Sequence, residues 1–341
     1  MSIDDEPRKH AVSNALKSRT IQEFFEHAKH LTTKALGFPR NKNTDIAYYT
    51  SQQIFDLAQQ AAQKYLREGL PQYPPPKTVV GLRVVSTIEW VISFIALVQL
   101  GYTVMVLSPT LAPEKVRLLM DKADCSIVID GTSMIGEDIA EEFRKTLKSG
   151  MKTLYFSRIE DTHPVLILHS SGSTGLPKLV QKTHATVLDR LRGLLAGLHG
   201  TSLVGSKLYN IVGLHAMLFS LIRGNGASVW FNELIPADAL QYRDMLVELQ
   251  PQTMWFTPSN LINAMLTPEG LEVLVKSELV LTTGGVFPTR LGQQLIEAGV
   301  NLVNIYGSTE LSVDVRLLPS TRKRGDPDWE YMEADISTAP H

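Results

Sequence analysis

Residues 165–178 set an apolar run, Val165 to Leu168, just ahead of Ser170-Ser171-Gly172-Ser173-Thr174-Gly175, with Lys178 following Pro177. The apolar run reads as a buried strand that enters a loop. Glycines let backbone amides approach an oxyanion closely, hydroxyls donate further bonds, and a lysine adds mobile charge. Those are the groups needed to hold a polyphosphate. A Ser/Gly-rich surface loop is the plain alternative, but it does not account for the strand and the Pro-Lys exit together. A Walker A loop is a poor fit, because five on from Gly172 is Pro177, and Leu179 follows the lysine. The magnesium-binding hydroxyl of that motif is missing, which disfavours a P-loop kinase or GTPase.

Three more segments carry side chains suited to chemistry. Residues 303–310 read Val-Asn-Ile-Tyr-Gly-Ser-Thr-Glu. Taken alone they suit an ordinary strand, turn and helix start with a solvated glutamate as well as a binding edge. Thr282-Thr283-Gly284-Gly285 follows an apolar Leu279-Val280-Leu281 strand, and paired glycines after a strand are also common in plain turns. Leu208 to Leu214 reads Leu-Tyr-Asn-Ile-Val-Gly-Leu. Nearby His215, like His169 and His184, lies in apolar surroundings where a packed histidine is the ordinary reading.

The 170–178 loop resembles the phosphate-binding signature of the adenylate-forming superfamily. That family includes acyl-CoA synthetases, adenylation domains of nonribosomal peptide synthetases, luciferases and fungal adenylate-forming carboxylic acid reductases. Its members turn a carboxylate and ATP into an acyl-adenylate and pyrophosphate. The resemblance implies that Ser170, Ser171, Gly172, Ser173, Thr174, Gly175 and Lys178 cradle pyrophosphate. It also implies that Tyr306 stacks on adenine, Thr309 bonds the α-phosphate and Glu310 binds magnesium, with Asn304, Gly307 and Ser308 along the nucleotide. An aromatic face suits a purine, and a carboxylate oxygen suits a hard cation that also bridges phosphates. Lys178, Thr309 and Glu310 are the expected catalytic residues. Gly284 and Gly285 resemble the family's glycine pair beside the acyl and adenine pockets. Asn210 stands where the family often has a histidine near the acyl carboxylate, with Gly213 after it. Asparagine can donate a hydrogen bond but carries no proton charge.

The elements that position these residues alternate. Residues 51–68 put Ile54, Leu57, Ala58, Ala61, Ala62, Tyr65 and Leu66 on one helical face, with Gly69 as the stop. Strands are expected at 79–85, 102–107, 126–129, 227–231 and 253–257. Helices are expected at 87–100, 112–122, 183–198 and 238–249, and from Pro258 onward. Pro74-Pro75-Pro76 reads as a surface connector. Such alternation implies parallel sheets covered by helices. The expected fold is α/β: a large adenylation domain of two parallel-sheet αβαβα subdomains, approximately 21–160 and 161–320. A 1–20 extension precedes it, the core ends at 333, and residues 334–341 are expected to be a disordered tail. The family's small mobile C-terminal domain, with its lysine, is expected to be absent.

Composition sets outer limits. The chain has 341 residues, 44% of them hydrophobic, enough for a large core. A formal net charge of −2 gives no general pull toward nucleic acid or an anionic membrane. One cysteine, Cys125, excludes an intramolecular disulfide and suits a reducing compartment. Met1 to His10 is polar and lacks the apolar stretch of a secretory signal. Residues 90–107 are uncharged and mostly apolar, but Gly101 splits them into a helix and a strand, so no membrane span is expected. The resemblance therefore implies a cytoplasmic enzyme that uses ATP and Mg2+ to activate a small carboxylic acid, in fungal specialised metabolism. The alternative is a nucleotide-binding regulator, or a chain that needs a carrier protein or a separate C-terminal domain in trans.

Overall fold

The computed structural model describes residues 5–40, 42, 44–72, 74–75, 77–131, 159–170, 178–194, 200–233, 238–310, 314–315 and 325–330. The chain forms two compact units: Met1–Ala35 with Tyr49–Leu195 and Leu208–Gly224, and Leu36–Tyr48 with Ala196–Lys207 and Asn225–His341.

Elements are numbered along the whole chain. The first unit holds helices α1 (Asp5–Lys17), α2 (Ile21–Ala28), α3 (Ser51–Arg67), α4 (Ile88–Gln99), α5 (Pro113–Lys122), α6 (His184–Leu194) and α7 (Ile211–Arg223). Its strands are β3 (Val79–Arg83), β4 (Thr103–Val106), β5 (Ile127–Asp130), β6 (Pro164–Ser170) and β7 (Lys178–Thr183). They form one sheet in the order β5-β3-β4-β6-β7. It is parallel except for β7, which runs antiparallel to β6. Side chains alternate across this sheet. Met105, Ile167 and Leu179 pack on one face with Leu119 of α5 and Cys125. The alternate residues Val104 and Leu166 are fully buried on the other.

The 90–107 run divides as its glycine requires. Thr87 precedes α4, and Gly101 takes φ 92°. There the amides of Gly101 and Tyr102 bond the carbonyls of Val98 and Leu97 at 3.0 and 3.1 Å. This is a left-handed helix stop that glycine takes without steric cost. The chain then turns into β4, which is buried along its length. Among the described residues no helix is long and apolar enough to cross a membrane.

The second unit is built on β1 (Lys34–Pro39), β2 (Ile46–Thr50), β8 (Ser202–Val204), β9 (Ser228–Trp230), β10 (Thr253–Phe256), β11 (Leu279–Thr283), β12 (Leu302–Gly307) and β13 (Asp314–Val315). The sheet order is β13-β12-β11-β10-β8-β9-β1-β2. From β12 through β1 every pairing is parallel, and β13 is antiparallel to β12. Helices α8 (Ala239–Leu249), α9 (Pro258–Met265), α10 (Pro268–Lys276) and α11 (Thr289–Glu297) belong to the same unit. Tyr242, Met245, Leu261, Leu274 and Leu295 from these helices share one core with Leu203, Met254, Val280 and Leu302 from the strands.

The expected parallel α/β fold is present, but its boundaries move. A division at 160/161 would cut β6, β7, α6 and α7 away from the sheet they complete. β6 pairs with β4, Val104 opposite Leu166, so the hairpin belongs to the first unit. Conversely, Leu36 pairs with Ser228, which draws residues 36–48 into the second. The 1–20 segment is not a separate extension, because α1 packs on α2 and α7 and buries Ala15. Residues 331–341, including the expected tail, lie outside the described residues.

Candidate functional site

In the first unit the candidate residues Ser170 and Lys178 sit at the mouth of the β6–β7 hairpin. Val165 to Leu168 are buried, as a strand feeding the loop must be. Ser170 pairs directly with Lys178, so those two residues hold the two ends of the loop. Ser171, Gly172, Ser173, Thr174 and Gly175 lie outside the described residues. Lys178 is exposed. Ser170 Oγ is buried without a hydrogen-bond partner among the described residues. The loop leads into a strand, whereas a Walker loop leads into a helix. The rejection of a P-loop enzyme therefore also stands on geometry. His169 is half-buried, and burial lowers its pKa, which favours the neutral ring.

The base of the hairpin is fastened to the N-terminal helices. Ile21, the first residue of α2, donates its amide to His184 Nδ1 at 3.1 Å. His184 donates its own amide to the His163 carbonyl at 3.2 Å, and Ala185 donates to Asp161 at 3.0 Å. Arg19 reaches Asp161 through Nε and Nη2 at 3.1 and 2.9 Å. Burial, helped by nearby His163, pushes His184 down to about 4. Only an unprotonated Nδ1 can accept the Ile21 amide. The sequence signal for this anchor is Thr20-x-x-Glu23 ahead of Phe24 and Phe25. Thr20 Oγ1 accepts the Glu23 amide at 3.2 Å, and Glu23 accepts the Arg19 amide at 2.7 Å.

Asn210 is the N-cap of α7, in extended conformation and exposed. Its side chain makes no capping bond. Its carbonyl accepts the Leu214 amide at 3.0 Å. Leu208 donates its amide to Ser86 Oγ at 3.0 Å, tying down the approach to the helix. Gly213 is buried in the first turn. His215 is buried further along the helix, where desolvation and then the charges of Arg190 and Lys182 push it to about 3. It is a neutral, packed histidine.

In the second unit the candidate residues gather at the carboxyl ends of β10, β11 and β12. Asn304 pairs with Thr282 and Ile305 with Thr283; Tyr306 and Gly307 then close β12 and pair with Val315 and Asp314, while Gly284 and Gly285 follow the end of β11. Gly284 takes φ 84°, and its missing Cβ would meet nothing nearer than Thr257 Cγ2 at 3.9 Å. The backbone angle, rather than crowding, calls for glycine there. At Gly285 a Cβ would stand 3.4 Å from the Pro258 ring. Tyr306 keeps 53% of its surface exposed, an aromatic face open at the sheet edge. Ser308 and Thr309 are half-buried and Glu310 is exposed. Among the described residues no three of His, Cys, Asp and Glu cluster as a metal site.

Residues 32–334 match the AMP-binding enzyme family. A non-ribosomal peptide synthetase, ascB, of Acremonium egyptiacum is 26% identical over 312 residues, 82% of this chain and 28% of that protein. An adenylate-forming reductase of Aspergillus terreus is 28% identical over 279 residues, covering 73% of this chain and 26% of its own length. This chain thus spans little more than a quarter of either fungal relative. Among solved structures, the N-terminal subdomain of Klebsiella oxytoca NpsA in complex with 3-hydroxyanthranilyl-AMSN superposes with a TM-score of 0.70 at 15% identity, covering 87% of this chain and 74% of that one. An adenylation domain of a keto acid-selecting module bound to keto acyl adenylate gives a TM-score of 0.71, also at 15% identity, covering 91% and 61%. At that identity the likeness is one of fold.

Proposed function

The chain belongs to the AMP-binding enzyme family, and from that premise we propose that it activates a small carboxylic acid with ATP to an acyl-adenylate. The main support is that Thr282 and Thr283, ahead of Gly284 and Gly285, pair with Asn304 and Ile305, ahead of Tyr306 and Gly307, so both motifs leave the carboxyl edge of adjacent parallel strands. Open α/β sheets receive their ligands at such edges. In this reading the acid's carboxylate oxygen attacks the α-phosphorus, the bond to the bridging oxygen breaks, and pyrophosphate leaves. Lys178, with Ser170 and the loop Ser171, Gly172, Ser173, Thr174 and Gly175, neutralises the departing pyrophosphate. Tyr306 stacks on adenine, Asn304, Gly307 and Ser308 line the nucleotide, and Thr309 donates to the α-phosphate. Asn210 holds the acid as a neutral donor, with Gly213 setting the start of its helix.

Magnesium fits this site through one carboxylate. With no three-ligand cluster among the described residues, Glu310 would share the ion with phosphate oxygens and water, the usual coordination for this cation. The ion would supply charge neutralisation at the phosphates.

The test is acid-dependent exchange of labelled pyrophosphate into ATP by the purified chain. The panel of aryl, keto, fatty and amino acids includes 3-hydroxybenzoate, 3-hydroxyanthranilate and 4-chlorobenzoate, after the acids that similar proteins are named for. Exchange with one class of acid supports the reading and identifies the class. ATP binding by calorimetry without exchange for any acid would favour the second reading, a nucleotide-binding regulator or a chain completed by a carrier protein or a C-terminal domain in trans. The observation favouring that reading is the uncharged Asn210.

A further inference from the structure

We propose that Asn260 is the positioning residue of the second unit's site: it fixes the Thr257-Pro258 turn against Gly284-Gly285 and so sets one wall for the bound acid. The proposal rests on the function just given.

Thr257 ends β10 and opens α9. Its amide donates to Asn260 Oδ1 at 3.0 Å, and its hydroxyl donates to the same oxygen. The other end of the amide, Nδ2, donates to the Tyr242 hydroxyl on α8. Tyr242 is an immobile anchor. It is 1% exposed, with its ring centroid 4.3 Å from that of Phe231 and 5.9 Å from that of Phe256. Burial drives its phenol well above the usual range, so the hydroxyl stays protonated and neutral. A helix cap needs only the first of these bonds. The bond to Tyr242 ties the cap to the neighbouring helix.

Gly205 shows that the amide's place is reserved. It follows β8 and donates its amide to the Trp255 carbonyl at 2.8 Å. A Cβ on Gly205 would lie 2.5 Å from Asn260 Oδ1 and 2.8 Å from its Cγ. The Asn260 amide thus fills the space that any other residue at 205 would take. On the far side, Thr257 Cγ2 and the Pro258 ring are the nearest atoms to the missing Cβ positions of Gly284 and Gly285. Hydrogen bonds run from Tyr242 through Asn260 to Thr257, and Thr257 and Pro258 bound the space over the glycine pair.

Amide hydrogen exchange reads the positioning without needing activity. Asn260→Ala should speed exchange at the Thr257 and Leu261 amides, which bond Asn260 Oδ1 and the Thr257 carbonyl, about tenfold, the equivalent of one lost buried hydrogen bond, and leave 302–305 protected. Gly205→Ala should do the same by displacing the amide, and the double variant should be close to Asn260→Ala alone, because the severe clash is gone and only Phe256 Cδ1 at 3.1 Å must give. Tyr242→Phe, which keeps the Thr257 bonds, should give a smaller effect in the same residues. In pyrophosphate exchange, the KM for the acid should rise about tenfold while the affinity for ATP stays unchanged. Equal acceleration at 257 and 261 and at 302–305, additive effects of the two substitutions, or an unchanged acid KM would overturn the proposal. If the parent chain exchanges no pyrophosphate with any acid, the functional reading falls and the wall for the acid with it. Hydrogen exchange still decides whether Asn260 holds the turn.

Discussion

His184 fastens the base of the β6–β7 hairpin to α2, and it does so only as a neutral ring. In the unfolded chain an imidazole takes up its proton near 6.5; in the fold His184 resists until about 4. The folded pKa is depressed, so the unfolded chain binds more protons through that window. Stability is whole above about 6.5 and falls as the pH drops toward 4. A depression of this size corresponds to a loss on the order of 3 kcal/mol. Buried His215, pushed to about 3, acts in the same direction. Urea unfolding at pH 7, 5.5 and 4.5 should show this decline. His184→Gln, whose amide oxygen can still accept the Ile21 amide, should flatten part of it. An identical pH slope in the variant would remove His184 as a source of acid sensitivity. At this scale the sequence offers residue types, as at Lys178, Tyr306 and Glu310, that a phosphate and purine site would need. It did not show what holds them, since a bond such as Ile21 to His184 joins residues far apart in the chain.

Among the elements, α11 and the 325–330 segment show a contact that composition hides. Trp329 is 2% exposed and meets Phe287 edge-on at 6.0 Å. A Cβ on Gly292 would stand 1.9 Å from the indole Cζ2, so the helix leaves a notch for the ring. Trp329→Ala should cost about 3–5 kcal/mol through the cavity it opens. Gly292→Ala should cost about 1–3 kcal/mol by forcing the ring out. On the Trp329→Ala background, Gly292→Ala should be close to neutral, as chemical denaturation of the three variants would show. Full additivity would mean that the two do not share a site. The sequence revealed the helices and strands whose patterns are local. The 51–68 periodicity became α3, Gly101 ended α4, and Pro258 opened α9. It passed over β1, β2 and β8; β1 and β8 gain their identity from partners such as Ser228 and Thr253. It also passed over α10 and α11, each only nine residues long. The notch that Gly292 leaves for Trp329 is invisible until the chain folds back.

For the whole molecule, the division at 160/161 failed for a topological reason. The chain changes unit after Ala35, Tyr48, Leu195, Lys207 and Gly224, so neither unit is one stretch of sequence. The eight-stranded sheet shows what this demands. β8 lies between β10 and β9, and β1 lies between β9 and β2, yet β1, β2 and β8 all precede residue 225. A fragment of residues 225–341 would keep β10, β11 and β12 but lose the neighbour of β10, and β9 would lose both of its partners. Buried strand edges left open in this way are templates for association. The fragment should therefore express as aggregate or show no cooperative unfolding. Joining residues 36–48 and 196–207 to it through flexible linkers should restore a folded species, because those two pieces supply the missing strands. Circular dichroism and size-exclusion chromatography on the two versions decide this. If 225–341 alone is monomeric and unfolds cooperatively, the strands from the front of the chain are ornaments on a self-sufficient unit. If only the joined version folds, the sheet edge at Tyr306 depends on residues more than a hundred positions away, and a variant there should be made in the 341-residue chain.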